Sequence, residues 1–201
     1  MVSAAGQLDM RGGHPVVDFV NTVAWRGGGT RRIDYLVDYS DVVAWCRHAR
    51  VLSTAEADEL SRAARADTAA AQRIVARAKR LREALHALWT ADTPSALPTI
   101  TAEYVSAVRH RELRQVHGRF VWVDRRIAIR GPVDRLAFAA VSLITETPSD
   151  RVKRCDDAAC GWLFLDTSHR HFVGCDRACG SPLAGQVLVA TGDGYQPRAR
   201  S

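Results

Sequence analysis

Apolar positions along the first two thirds of the chain recur with helical spacing. The clearest run covers Thr68–Thr90, where one apolar residue follows another at alternating steps of four and three. Its members are Ile74, Ala78, Leu81, Leu85 and Leu88. This spacing places them on one face of an amphipathic helix, which we expect to face the core.

Shorter helices are predicted on both sides of this long one. Ser40 is the expected N-cap of one helix, and Ser53 with Glu56 forms the Ser-x-x-Glu capping box that opens another. The segment Thr99–Leu113 also fits a helix, with Thr99 or Thr101 as its cap. The apolar segment Pro15–Val23 suits an early buried helix or strand.

The segment Val133–Glu146 is apolar on most sides, so we expect it to be the central helix, ended by Pro148. Residues Arg119–Arg130 alternate as strands do, which predicts a β-hairpin around an Asp-Arg-Arg turn. Together the patterns predict an α+β fold. Residues 1–150 would form a mainly helical domain with a hairpin, and residues 151–201 a small carboxy-terminal module.

Composition adds that the chain is globular, since 47% of its 201 residues are hydrophobic and 25% are charged. We see no secretion signal and no apolar run long enough to span a membrane, so we expect a cytoplasmic protein without a membrane partner. The net charge is +6, and the basic excess is nearly all arginine in residues 62–135. Arg73, Arg77 and Arg80 form a basic stripe on the long helix, which fits either a nucleic-acid contact or a solvated face.

Four of the five cysteines are clustered near the carboxyl end, as Cys155-x4-Cys160 and Cys175-x3-Cys179. Two such pairs on separate turns can supply four thiolates to a tetrahedral Zn²⁺ ion. Four thiolates leave no open coordination position, so the metal would be structural. His169 and His171 could replace a cysteine, but histidines in a loop near a metal are more often bystanders. Trp162 and Phe164, in a predicted strand between the pairs, would shield the metal from water.

The stretch "CDDAACGWLFLDTSHRH…GC…CG" resembles the CGNR zinc finger family, and "GGHPVVDFVNTVAWR" resembles the opening of the ABATE domain that precedes this finger. The resemblance covers almost the whole chain. Members of this family are described as stress-induced transcription regulators, a role inferred for the family. The resemblance implies Cys155, Cys160, Cys175 and Cys179 as zinc ligands, and it matches Asp18, Asn21 and Thr22 to the amino-terminal motif.

The chain departs from the family pattern after Cys179, where it has "GSP" in place of Gly-Asn-Arg. The basic residues left around the cysteines as nucleic-acid candidates are Arg154, Arg170 and Arg177. Because phosphate contacts need several Lys or Arg side chains, we expect DNA binding to be weakened or lost. The function implied is thus a zinc-binding transcription regulator, with DNA as one candidate partner.

Two other hypotheses stay open. The protein could be a ligand-sensing or interaction module, with His14, Asp18, Asn21 and Thr22 lining a pocket, or with the apolar tail "PLAGQVLVA" packing on a partner or a second copy. The alternative for the same four residues is that they cap local backbone. An enzyme is less favoured and no catalytic residue is predicted, because acid/base pairs are missing and "RGGGT" lacks the lysine of a phosphate loop.

Overall fold

The computed structural model describes residues 3–91 and 94–166, together with the backbone of residues 171–172, 186–191 and 194–199. Its helices are α1 (Pro15–Val20), α2 (Tyr39–His48), α3 (Thr54–Ala66), α4 (Thr68–Thr90), α5 (Leu97–Val108) and α6 (Gly131–Glu146). The strands are β1 (Val23–Ala24), β2 (Ile33–Asp34), β3 (Arg111–Val116), β4 (Arg119–Asp124), β5 (Val152–Arg154), β6 (Leu163–Leu165), β7 (His171–Phe172), β8 (Gln186–Thr191) and β9 (Gly194–Ala199). The strands pair as β1-β2, β3-β4, β5-β6 and β7-β8-β9, all antiparallel. The predicted α+β class is confirmed.

The long helix α4 has the bounds that the apolar spacing predicts, and Ser53 and Glu56 form the predicted capping box of α3. The start of α2 differs from the prediction. Its N-cap is Asp38, whose carboxylate accepts from the backbone N–H of Asp41, while Ser40 lies inside the first turn and donates to Asp38. Asp38 has the extended backbone that an N-cap requires, so its carboxylate takes the capping position.

Helix α5 is shorter than predicted, because it begins two residues earlier and ends five residues earlier. It begins at Leu97 with Pro98 in the first turn and ends at Val108, so neither Thr99 nor Thr101 is its cap. Proline suits the first turn of a helix because its missing N–H would be unpaired there. The strand β3 starts at Arg111, which places Leu113 in the hairpin rather than in the helix.

The hairpin also differs from the prediction. Its turn is His117–Gly118, not Asp-Arg-Arg, and residues 125–130 do not extend it. Both turn residues have positive φ, 48° at His117 and 77° at Gly118. Positive φ at both central residues matches the twist of the flanking strands, and glycine at the second adopts it without strain.

The main core lies between α1, α2, α4, α5 and α6. Leu81 and Leu85 of α4 are fully buried, as is Leu136 of α6, and the ring of Phe19 packs in a tilted arrangement against Trp45 with centroids 5.5 Å apart. The prediction that α6 is a buried core helix is confirmed. Within the described ranges no helix combines the length and apolarity needed to cross a bilayer.

The short hairpin β5–β6 packs against this core. Val152 pairs with Leu165 and Arg154 with Leu163, and β6 contacts α1 while β5 contacts α4. Val152 and Leu163 belong to the same buried cluster as the helices. The side chains after Asp166, those of the predicted apolar tail among them, lie outside the described residues.

Candidate metal centre

Cys155 and Cys160 lie in the loop that joins β5 to β6. The backbone N–H of Cys155 donates to Trp162 O over 2.8 Å, and that of Cys160 donates to Asp157 O over 3.0 Å. The Asp157 carboxylate accepts from the backbone N–H of Ala159 at 2.9 Å. These local bonds fold the loop into a compact turn that brings both cysteines to one side.

Both cysteine side chains are buried, with exposures of 1% for Cys155 and 3% for Cys160. They form a small apolar cluster with Phe164, and Trp162 packs against it. This cluster is separate from the main core. The two aromatic side chains therefore lie where the sequence pattern predicts a cover for the cysteines.

The described half of the cluster fits a zinc ion in its chemistry, because two buried thiols in one turn are soft donors of the kind that structural zinc sites use. Cys175, Cys179 and His169 lie outside the described residues, as do Arg170, Arg177 and the side chain of His171. Within the described residues, no group of three or more metal-ligating side chains occurs. The structure thus brings together two of the four predicted ligands.

Asn21 of the amino-terminal motif binds β6 through both the donor and the acceptor of its side-chain amide. Its Nδ2 donates to Leu163 O and its Oδ1 accepts from the Leu163 N–H, each over 2.8 Å. Asn21 is buried, and the two residues are 142 positions apart in the chain. The side chain occupies the place of a neighbouring strand and pairs the buried backbone of Leu163 on that edge.

The residues after β1 hold the cysteine loop itself. The Arg26 N–H donates to Cys160 O at 3.2 Å, and the Gly27 N–H donates to Ala159 O at 3.3 Å. The amino-terminal motif therefore contacts the backbone of a predicted metal ligand directly.

Two glycines permit this close contact. A Cβ at Gly27 would lie 2.1 Å from Ala158 O, well inside any allowed contact. Gly161 has φ +68°, and a Cβ there would lie 2.8 Å from the Cβ of Arg26. The two segments can approach to this distance because both positions lack a side chain.

Asp18 reaches the same hairpin through Gly12. Its Oδ1 accepts from the Gly12 N–H at 2.6 Å, and Gly12 O accepts from the Leu165 N–H at 2.8 Å. Burial raises the pKa of Asp18 to about 6, against the opposing effect of the backbone N–H donors of Gly12 and Arg11. Asp18 is thus a buried positioning group for the loop that binds β6.

The two other motif residues also bond to the protein itself. His14 is the N-cap of α1, where its Nδ1 accepts from the Val16 N–H at 3.1 Å. The Thr22 hydroxyl donates to Phe19 O at 2.7 Å and accepts from Arg82 at 3.2 Å. All four motif residues therefore bond to backbone or to a buried arginine, which is the capping role considered as the alternative to a ligand pocket.

Arg82 is a buried ion-pairing residue that the sequence analysis does not single out. Its guanidinium is 2% exposed and donates to both Asp34 oxygens, at 2.7 and 2.9 Å, and to Glu83 at 2.9 Å. Burial alone would raise the pKa of Asp34, but the bonds from Arg82 and Lys79 lower it to about 2. The pattern does contain a signal, since Arg82 stands four residues after Ala78 on the apolar face of α4.

Arg26 connects this ion-pair network to the cysteine loop. Its guanidinium donates to Glu83 Oε2 at 2.6 Å and to Val20 O at 3.1 Å, while its backbone N–H bonds Cys160. Glu83 in turn pairs with Arg82. A continuous set of polar contacts therefore runs from α4 to the cysteine loop.

The arginine stripe on α4 is not uniform. Arg73 and Arg80 are exposed, whereas Arg77 is half-buried and pairs with Glu103, with Nε to Oε2 at 3.0 Å, and with Asp134 at 3.5 Å. Arg154 is exposed at the end of β5. Three of the predicted nucleic-acid residues thus remain open to solvent in the described part of the chain, and Arg77 is occupied inside the fold.

A groove of about 710 Å³ lies between α2, α3 and α4. Ala71 and Val75 of α4 and Tyr39 of α2 supply apolar surface, and Arg65 and Lys79 are its cationic members. The groove is built from residues other than the amino-terminal motif, where the sequence analysis places a candidate pocket.

These features define an α+β helical domain that carries a cysteine hairpin on its amino-terminal motif. The family model that matches residues 13–147 is ABATE, described as "Putative stress-induced transcription regulator". The chain belongs to the ABATE family, since the match covers most of its length and includes everything from α1 to α6. Neither the curated proteins nor the solved structures gave a match.

Proposed function

We propose that this ABATE protein is a transcription regulator in which a structural Zn²⁺ ion organises the carboxy-terminal module. Cys155 and Cys160 supply two ligands, and Cys175 and Cys179 supply the other two. The ion would cross-link the two halves of the module, so that metal binding contributes directly to its folding. A four-thiolate site has no position for substrate, so the metal has no catalytic role.

The observation that supports the proposal most directly is the burial of Cys155 and Cys160 in one cluster, with their loop held by Arg26 and Gly27. A loop fixed by outside contacts presents its thiols with little ordering cost, which favours metal binding. Asn21 fixes the strand that follows. The zinc module would consequently have a defined position on the helical domain.

The test is metal analysis of the full chain and of two cysteine variants. We expect about one zinc ion per chain in the unsubstituted protein and its loss in Cys160→Ser. Cys46→Ala is the matched control, because Cys46 lies on α2 in the main core, away from the cysteine loop. Burial there raises the pKa of its thiol to about 12. Equal zinc contents in all three proteins, or none in the unsubstituted protein after addition of zinc, would contradict the proposal.

For DNA contact, Arg73 and Arg80 are the described α4 side chains that support it, because both are exposed and Arg77 is ion-paired. We expect weak, salt-sensitive binding, with Arg73→Ala/Arg80→Ala reducing the affinity for any fragment. The control Arg62→Ala removes an exposed arginine from α3. Binding that is undetectable at low salt would remove direct DNA contact from the proposed function.

A second candidate function, small-molecule sensing, is favoured by the groove between α2, α3 and α4. Its volume lies in the usual range for ligand sites. Apolar walls with Arg65 as the cation fit a ligand with an apolar body and a carboxylate, since Lys79 already pairs with Asp34 at 3.1 Å. Thermal shifts with medium-chain carboxylates, but not with the matching alcohols, would support this function. Equal shifts with both, or with neither, would count against it.

A further inference from the structure

The hairpin β3–β4 exposes an apolar face. Leu113 pairs with Trp122 and Gln115 with Phe120, so these four side chains lie on one side of the two strands. Phe120 is 74% exposed, and Leu113 and Trp122 are also exposed. At the base of the same face Trp122 contacts Phe138 of α6, with ring centroids 5.9 Å apart. The tip of the hairpin therefore presents apolar surface that the described helices leave open.

The two edges of the hairpin differ in their protection against pairing with another strand. In β3 charged residues interrupt the strand at Arg111, Glu112 and Arg114. In β4 four uncharged residues, Phe120 to Val123, follow one another without a proline. Charged residues discourage edge-to-edge pairing. The β4 strand, which pairs only with β3 in the described sheet, is thus the open edge.

The hydrogen-bonding direction along β4 follows from the base of the hairpin, where the Arg125 N–H donates to His110 O at 2.9 Å. Along an antiparallel ladder, every second residue has its backbone N–H and C=O bonded to the partner strand. Counting back from Arg125, the backbone groups of Val121 therefore point toward β3, and those of Phe120 and Trp122 point away from it. Trp122 O accepts from the Arg111 guanidinium at 3.0 Å. A carbonyl oxygen has a second lone pair, which leaves it able to accept from another strand.

We propose that β4 pairs antiparallel with β4 of a second copy of this chain, about a two-fold axis that passes beside Val121. In this register Phe120 of each copy lies opposite Trp122 of the other, and these are the residues whose backbone groups point outward. Each cross-strand pair would be aromatic on the exposed apolar face. The result is a four-stranded sheet whose four central aromatic side chains lie on one face.

Charge and symmetry support the same arrangement. Antiparallel pairing about Val121 places Arg119 opposite Val123 of the other copy and Asp124 opposite Gly118, so no like charges face each other, whereas in-register parallel pairing would align like charges. A two-fold interface uses the same strand from both copies, so the assembly closes. The outer edges of the new sheet would be the two charged β3 strands, which resist further addition.

The first test is sedimentation of the full chain over a range of concentrations. We expect a concentration-dependent dimer for the unsubstituted protein and a monomer for Phe120→Glu. The matched control is Val37→Glu, which places the same charge at another large apolar residue, 73% exposed and away from the hairpin. The control should still form a dimer. A monomer in all three cases, or a dimer that Phe120→Glu leaves intact, would overturn the proposal.

The second test is disulfide trapping, which measures the register. Val121 lies opposite itself, at about 4.5 Å between Cα atoms, so Val121→Cys should form an intermolecular disulfide. Arg119→Cys is the control, since the two copies of residue 119 would be about 13 Å apart along the strands. Covalent dimer above the level of the unsubstituted protein is expected for Val121→Cys alone. Faster trapping of Arg119→Cys would overturn the register.

Discussion

The chain contains two antiparallel hairpins that differ sharply in how they are held. β5–β6 has three-residue strands, yet Val152, Leu163 and Phe164 are all buried. β3–β4 has strands of six residues, and most of its outer positions are exposed. The shorter hairpin is held by hydrogen bonds from side chains and backbone of the amino-terminal segment. The longer one contacts the helices mainly at its base.

This difference shows that strand length does not determine how firmly a hairpin is integrated. A lone two-stranded hairpin is marginally stable in water, whatever its length, unless other elements contact it. For β5–β6 those contacts are polar and specific, with Asn21 on Leu163 and Gly12 on Leu165. We therefore expect substitutions along this contact to change stability strongly, and substitutions on the outer face of β3–β4 to change association instead.

Replacing Asn21 with Leu should have the largest effect. The variant leaves the N–H and C=O of Leu163 buried without their partner, at about 1–3 kcal/mol for each group. Urea unfolding should show a loss of about 2–6 kcal/mol. Asn21→Asp provides a comparison, because it keeps the size and an acceptor but loses the donor. A loss below about 0.5 kcal/mol for Asn21→Leu would mean that the hairpin is held by its apolar contacts alone.

Gly27→Ala comes next in expected size. The added methyl group would meet Ala158 O at 2.1 Å, so the cysteine loop must move away from β1. Overpacking of this kind costs about 1–3 kcal/mol. Zinc affinity, measured by competition with a chelator, should fall along with stability. Gly131→Ala is the matched control, since a Cβ there meets nothing within 4 Å, and it should behave as the unsubstituted protein.

The pH dependence of stability should reveal Asp18. Its pKa is about 6 in the folded protein and near 3.8 when unfolded, so the folded state holds a proton that the unfolded chain has already lost. The free energy of unfolding should thus fall as pH rises from about 4 to about 6, by about 3 kcal/mol from this group. Asp18→Asn, which can still accept from Gly12, should lack this component. Parallel pH profiles for the two proteins would contradict the assignment.

The smallest effect on stability is expected for Phe120→Glu. The side chain is largely exposed, so the free energy of unfolding of the monomer should change by no more than about 0.5 kcal/mol. Urea unfolding at low protein concentration, where a dimer dissociates, measures this value. A loss comparable to that of Asn21→Leu would remove the contrast between the two hairpins.

The sequence predicts those parts of the fold that depend on local pattern. The bounds of α4 follow from its apolar spacing, and α3 follows from the Ser53 capping box. The hairpin β3–β4 lies earlier than the alternation in Arg119–Arg130 predicts, because the turn at His117–Gly118 is set by the positive φ of two residues. The role of Asn21 depends on a residue 142 positions away, and no local pattern carries that information.

The candidate site divides in the same way. The cysteine spacing indicates a metal centre, since paired thiols are a local feature. The buried Arg82 network does not follow from the pattern, because arginine on a helix is usually solvated. Only its position after Ala78 on the apolar face of α4 distinguishes it from Arg80, which is exposed.

The contact between Asn21 and Leu163 also sets an order on folding. The ribosome completes the helical domain, from α1 to α6, before the strand that Asn21 binds has been synthesised. Contacts between residues so distant in sequence form late, because the chain between them must be ordered first. We therefore expect the helices to assemble while the Asn21 amide is still hydrated. The contact of Asn21 with Leu163, and with it the docking of the cysteine loop, would form as one of the last steps. In a refolding experiment, Asn21→Leu should accelerate unfolding more than it slows folding.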